Sequence, residues 1–187
     1  MKIKITFFIL FISLFSVTMA QEVVIKDKKY GTMSLKKKES LNLEFSVSWY
    51  SYDFETHNPI VTGQIFPPNV RLRPIKTESS NNLFYKWEEG LKVGDEIYKQ
   101  FITIAEASAT IEAGLYELSV CWNDAVRIYI DGKPVIVEWN SSKKRTTKAV
   151  SKKLDLTLSG NHHFLVEHVA QGNGAALILN LKKVEAK

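Results

Sequence analysis

The chain has 187 residues, a formal charge of +5 and a single cysteine. That length leaves room for one domain of ordinary size, and one cysteine excludes an intrachain disulfide framework and a cysteine-based zinc site. Lys2 and Lys4 carry two of the positive charges and residues 1–20 hold no acid, so the remainder is only +3, too mild a balance to argue for nucleic acid as a partner.

Residues 1–20 read as a signal peptide. Lys2 and Lys4 make a basic start, Ile5 to Val17 is an uncharged apolar run, and Ala20 is the small residue that signal peptidase requires. The run falls short of the roughly 20 apolar residues of a membrane span. No second apolar span follows, and no cysteine near Ala20 offers a lipid attachment point. The expectation is export, to the periplasm or the medium, with no membrane span once the signal is removed. Residues 21–40 form a basic leader, lysine-rich and short of apolar periodicity, with one strand expected at Glu22–Ile25.

From Leu41 the pattern sharpens. Leu41, Leu43, Phe45, Val47 and Trp49 alternate with Asn42, Glu44, Ser46 and Ser48, the period of two that a half-buried strand needs. Residues 51–82 contain Asn58-Pro59, Pro67-Pro68, Pro74 and a polar cluster at Ser79–Asn82. They read as an irregular excursion with one short strand at Val61–Phe66. Leu83–Trp87 and Phe101–Ile104 are further strands. Glu106–Ala113 contains alanine but no i, i+4 apolar stripe, which argues against a long helix there.

Residues 114–139 read as three consecutive antiparallel strands. The first carries Tyr116, Leu118, Val120 and Trp122 on one face, Asn123-Asp124 turns the chain, and Val126, Ile128 and Ile130 line the second. Asp131-Gly132 then leads into Val135, Val137 and Trp139; Asp-Gly between two such runs is the strongest short-range hairpin signal. A basic stretch, Ser141–Lys153, precedes Leu154, Leu156 and Leu158, which alternate up to Ser159-Gly160. Phe164–Val169 and Ala175–Leu181 close the chain across the glycine-rich loop Ala170–Gly174. Many short strands with turn signals between them indicate an all-β, antiparallel sandwich or barrel-like domain over 41–184, with little or no helix.

No enzyme constellation stands out. His162 and His168 share a strand parity but would lie roughly 20 Å apart, and His162 and His163 project to opposite faces, so none of these pairs chelates a metal on a regular strand. The sequence holds no GxSxG elbow, no HExxH and no P-loop. Glu88-Glu89 and Asp95-Glu96 lie beside turns, where solvated acids are the default. Alternation places Cys121 opposite the Leu118/Val120 face, as a buried structural thiol with no base beside it. Lys143, Lys144, Arg145, Lys148, Lys152 and Lys153 suit a solvated loop or an anionic polysaccharide, and no aromatic is interleaved there for stacking. Asn140-Ser141-Ser142 matches a glycosylation acceptor. Asn123-Asp124 is either a plain turn or two oxygen-bearing side chains placed for a hard cation.

The stretch Gly114–Leu181 resembles the PA14 domain family. The elements that carry the likeness are Gly114-Leu115-Tyr116, Asn123-Asp124-Ala125-Val126-Arg127, Tyr129-Ile130-Asp131-Gly132-Lys133 and Trp139. They are followed by Gly160-Asn161-His162, Val166-Glu167-His168 and Gly172–Leu177. Upstream, Trp49-Tyr50, Leu83-Phe84-Tyr85-Lys86-Trp87 and Phe101 look like the family's first half. The resemblance implies a β-sandwich module found in bacterial toxins, fungal adhesins and glycosidases, often associated with carbohydrate recognition.

In the adhesin branch a pair of aspartates, with an asparagine and carbonyls from a later loop, holds calcium against sugar hydroxyls. Here the first aspartate position is Asn123, Asp124 is retained, and the following glycine is Ala125. The asparagine position falls on Ala170, with Asn173 close by. An amide in place of a carboxylate removes a charge on which calcium affinity depends. Asn123 and Asp124 are thus a weak calcium position at most. The expectation is a secreted, non-catalytic binding module at a bacterial cell surface or in the periplasm, whose partner is a glycan or a cell-surface protein. Its ligand rim comprises Asn123, Asp124, Gly172, Asn173 and Gly174. The alternatives are a structural or assembly domain with no sugar site, or an accessory to a neighbouring glycosidase.

Overall fold

The computed structural model describes residues 24–28, 41–68, 72–139 and 148–184, the first of these by backbone alone. The elements are β1 (Val24–Lys28), β2 (Phe45–Ser51), α1 (Pro59–Thr62), β3 (Lys76–Ser80), β4 (Leu83–Trp87), β5 (Leu91–Val93) and β6 (Glu96–Tyr98). They continue as β7 (Gln100–Asn123), β8 (Ala125–Ile130), β9 (Lys133–Glu138), β10 (Val150–Gln171) and β11 (Ala175–Lys183). The expected signal peptide at 1–20, most of the expected leader and the core of the basic stretch lie outside the described residues. Of the strand expected at Glu22–Ile25, Val24 and Ile25 fall in β1, and Glu22 and Val23 lie outside the described residues.

Two long strands organise everything else. β7 and β10 run antiparallel over almost their whole length, from Val150↔Trp122 to Gln171↔Gln100. Nine of the described strands form one hydrogen-bonded sheet, and each half of this ribbon carries a different layer of it, so that the layers act as two sheets. The half containing Phe101–Glu106 pairs with β2, which pairs with β3, and on its other side β10 continues to β8 and β9. The half containing Tyr116–Asn123 pairs with β11, which pairs with β4, while β10 there pairs with β1. β5 and β6 form a separate small hairpin.

The ribbon changes sheets at a bulge. Leu158 faces Gly114 but Gly160 faces Ile111, so β10 advances two residues while β7 advances three. The extra residue flips the parity of β7: Phe101, Ala105, Ala107 and Ile111 are buried on one side of it, and Tyr116, Leu118, Val120 and Trp122 on the other. Both sets therefore face one core, which they share with Phe45, Val47, Trp49, Leu154, Leu156, Phe164, Val166, Leu177 and Leu179.

Several expectations change. The alternating run Leu154–Leu158 and the strand Phe164–Val169 are one strand, β10, because pairing to β7 resumes at once beyond Ser159-Gly160. The three strands of 114–139 are not one meander either. β8 pairs with β10 and β9, not β7, so Asn123-Asp124 is a corner that carries the chain from one sheet to the other. The β8–β9 hairpin does form at Asp131-Gly132, with φ of 52° and 73°, as its two positive-φ positions demand. Within it Ile128 faces Ile136 while Tyr129 faces Pro134, which makes Val135 the extra residue. Parity flips again: Val135 and Ile136 are buried, and Val137 is 56% exposed.

The strand expected at Val61–Phe66 is replaced by α1, a single helical turn. Asn58 caps it by accepting from Ile60 N, Pro59 starts it, and Gly63 follows its end, an arrangement that suits a short helix. The excursion around α1 docks on a second, smaller apolar cluster of Ile60, Ile102, Ala125 and Val169. Arg127 fastens it. Its guanidinium lies 3.9 Å from the Trp139 ring centre, its Nε is 2.7 Å from Glu167, and its Nη1 donates to Gly63 O. The Trp139 indole N–H donates to Pro59 O. The polar segment Lys76–Ser80, read as part of the irregular region, is the edge strand β3.

Candidate functional site

The rim named from sequence is brought together at one end of the ribbon. β7 ends at Asn123, β10 ends at Gln171, and the loop Gly172–Gly174 leads into β11. Asn123 is 4% exposed, and its Nδ2 donates to Gly174 O at 2.7 Å. Asp124 Oδ2 accepts from the Gln171 backbone N–H at 2.7 Å. Gly174 N donates to Trp87 O and Glu88 O, which anchors the loop to the end of β4. Asn173 is exposed and Gly172 buried.

Beneath the corner lies His168, fully buried. Its Nε2 is hydrogen-bonded to the Asn123 carbonyl, and its Nδ1 is 3.4 Å from Thr103 Oγ1. A carbonyl only accepts, so the ring proton sits on Nε2 and Nδ1 accepts from the Thr103 hydroxyl. Burial pushes this imidazole down to about 4, with the Asn123 carbonyl opposing that shift, because a dry interior disfavours the charged ring. Trp87 stacks on it at 5.7 Å between centroids. Trp87 in turn stacks on Tyr85 at 5.2 Å and meets Phe101 edge-on at 4.9 Å. The aromatics that carried the upstream resemblance thus converge under the corner.

Sequence reasoning treated His168 as an ordinary histidine and overlooked Thr103 and Gln171. The only local signal was a histidine at a buried parity position of a well-patterned strand.

The donor set at the corner carries less negative charge than calcium sites usually supply. The ion takes six to eight oxygens, commonly with several carboxylates. Here Asp124 is the one carboxylate of the pair, and the Asn123 amide presents its N–H to Gly174 O. Among the described residues, no three His, Cys, Asp or Glu side chains are grouped so as to hold a metal.

A second polar cluster lies near the bend of the ribbon. His162, 3% exposed, places Nδ1 2.7 Å from Asp131 Oδ2. Its Nε2 accepts from the Ser159 backbone N–H at 3.2 Å, so that lone pair is spent on the fold. Asp131 Oδ1 accepts from His163 N at 2.8 Å. These two bonds, the backbone one first, hold the Asp131 carboxyl below the usual range against the opposing effect of burial. His162 and His163 do project to opposite sides, the first buried and the second exposed. Cys121 is free and buried, with Leu118 and Val120 on the core side as alternation required.

The PA14 domain profile matches residues 46–185. No curated protein matches the chain. Among solved structures, the PA14 sugar-binding domain from an RTX adhesin superposes with a TM-score of 0.55 at 17% identity, covering 77% of this chain and 91% of that one. The PA14 domain of the MpAFP antifreeze protein gives 0.53 at 15% identity, covering 84% and 89%. A β-glucosidase from Kluyveromyces marxianus gives 0.56 at 14% identity, covering 76% of this chain but only 17% of the enzyme. At such identities these likenesses establish a shared fold. With the profile spanning most of its length, the chain belongs to the PA14 domain family.

Proposed function

We propose that the protein is an exported, non-catalytic carbohydrate-binding module of a bacterial surface or periplasm, with its ligand at the rim formed by Asn123, Asp124, Gly172, Asn173 and Gly174. The observation that carries this reading is the convergence of the β7 corner and the β10–β11 loop, locked by the Asn123–Gly174 and Asp124–Gln171 hydrogen bonds. Two backbone corners held rigidly together make a preorganised edge for a polar ligand, which lowers the ordering cost of binding. The RTX adhesin domain of the same fold is described as sugar-binding, which supports the ligand class. The spent lone pair of His162 Nε2 speaks against general-base chemistry at the one Asp–His pair described, since such a base needs that pair free.

One observation favours a structural or assembly domain instead. Asn123 donates its side-chain Nδ2–H to Gly174 O and accepts from His168 Nε2 at its backbone carbonyl, so the corner also serves as a latch. A glycan array, run with calcium and again with a chelator, separates the two readings. The module reading expects binding that Asp124→Ala weakens at least tenfold while the protein stays folded. A folded protein silent on every glycan would leave the assembly domain.

A further inference from the structure

We infer that a carbohydrate subsite independent of any metal occupies the cleft walled by Tyr52 and Tyr98, next to the rim. The cleft has a volume of about 510 Å³, and Tyr52, Ile97, Tyr98, Lys99, Gln100 and Gln171 line it. That volume falls within the range of about 300–1,000 Å³ typical of small-molecule sites. It is continuous with the rim, since Gln171 borders the cleft and donates its backbone N–H to Asp124. The inference rests on the glycan-module reading and adds a second contact surface for the sugar beside that rim.

Both tyrosine hydroxyls already have partners within the fold. The Tyr52 hydroxyl donates to Ala170 O at 3.1 Å, and its ring packs against the small apolar cluster. The Tyr98 hydroxyl donates to the Glu96 carboxylate, which raises its pKa, and its ring packs against the main core. Ile97 stands 47% exposed at the lip, an apolar side chain that the fold does not consume. The lining otherwise offers the Ser51 hydroxyl, the Lys99 ammonium and the side-chain amides of Gln100 and Gln171, the latter 3.5 Å from Asn58 Oδ1.

Apolar faces beside amides match a pyranose, which has a C–H face to lay on an aromatic ring and hydroxyls to pair with amides. Lys99 and the Glu96 carboxylate held on the Tyr98 hydroxyl offset each other at the wall, which suits a neutral sugar first. None of these groups needs a metal to act.

The wall is also built with some care for its position. Gly90, at φ 125°, lies so close to β6 that a Cβ there would sit 2.6 Å from Tyr98 O and 3.0 Å from Ile97 Cγ2. Any larger residue forces the hairpin that carries Ile97 and Tyr98 to move.

The test uses the full chain on an array of neutral and uronic-acid oligosaccharides in EDTA, with affinities for the best probe measured by calorimetry. Binding is expected to persist in EDTA, to fall at least tenfold in Tyr98→Ala, and to stay within about threefold in Tyr98→Phe, which keeps the ring. Gly90→Ala is expected to weaken binding although both tyrosines remain. Melting curves report whether each variant is folded, and Tyr98→Phe against Tyr98→Ala isolates the ring. Binding that EDTA and Asp124→Ala abolish but Tyr98→Ala leaves unchanged overturns the cleft and keeps the glycan module. Silence on the whole array, with and without calcium, overturns both.

Discussion

Buried polar side chains at the corner trade charge for geometry, and His168 shows the cost. In the fold its imidazole is neutral, with a pKa pushed down to about 4 chiefly by burial, against about 6.5 in an unfolded chain. The unfolded state therefore binds a proton that the folded state refuses wherever pH lies between those values. Stability from this group is complete above about pH 6.5 and is lost as pH falls towards 4, by about 3 kcal/mol at most. Urea unfolding at pH 7 and at pH 4.5 measures the loss. His168→Gln keeps an N–H for the Asn123 carbonyl and an acceptor for Thr103 without titrating, so its acid loss should be smaller by a large part of that amount. Equal acid sensitivity in the two proteins would show that His168 does not control it. Asp131 titrates lower, its carboxylate favoured by the fold, so its own loss begins below the range where His168 acts.

At the scale of elements, single extra residues decide which side chains reach the core. Val135, Val137 and Trp139 share a parity in the sequence, yet the bulge at Val135 hands the buried place beyond it to Ile136, at 1% exposure. Ile136→Ala should therefore cost about 2–5 kcal/mol, the usual range for truncating a buried isoleucine. Val137→Ala should change stability by no more than about 0.5 kcal/mol. Denaturant midpoints of the two variants check this, and similar losses would refute the bulge. The same effect explains what was legible in the chain. β2, β4 and the Asp131-Gly132 hairpin were readable because their signals are local. The bulge in β7 was not, because it is defined only against its partner β10. β3 escaped because an edge strand of Lys, Thr, Glu and Ser carries no apolar alternation. α1 was misread as a strand although Asn58, Pro59 and Gly63 supplied its cap, start and stop. At the candidate site, Asn123-Asp124 and Gly172–Gly174 were named through the order of elements around them. Their dependence on His168 and Thr103 comes from residues 65 positions apart and has no signature in either segment.

For the molecule as a whole, the β7–β10 ribbon makes two sheets into one unit. No strand of either sheet can lose its ribbon half without disturbing the other half, since β7 and β10 each run through both. Sandwiches built from separate strands can open one sheet at a time, with local free energies well below the global one. Here a defect in one sheet should be felt equally in the other. Leu118, fully buried on the half of β7 that pairs with β11, is the place to introduce it. Leu118→Ala should lower global stability by about 2–5 kcal/mol. Amide exchange measured in Phe45–Ser51 on one sheet and in Ala175–Lys183 on the other should then accelerate by the same factor. Faster exchange confined to Ala175–Lys183 would mean that the sheets open independently, and the rim at Asn123–Asp124 would then be able to loosen from Gly172–Gly174 without unfolding the rest. Matched exchange would instead tie the rigidity of that rim to the stability of the entire domain, so that any core mutation weakening the fold would also raise the ordering cost of whatever the rim binds.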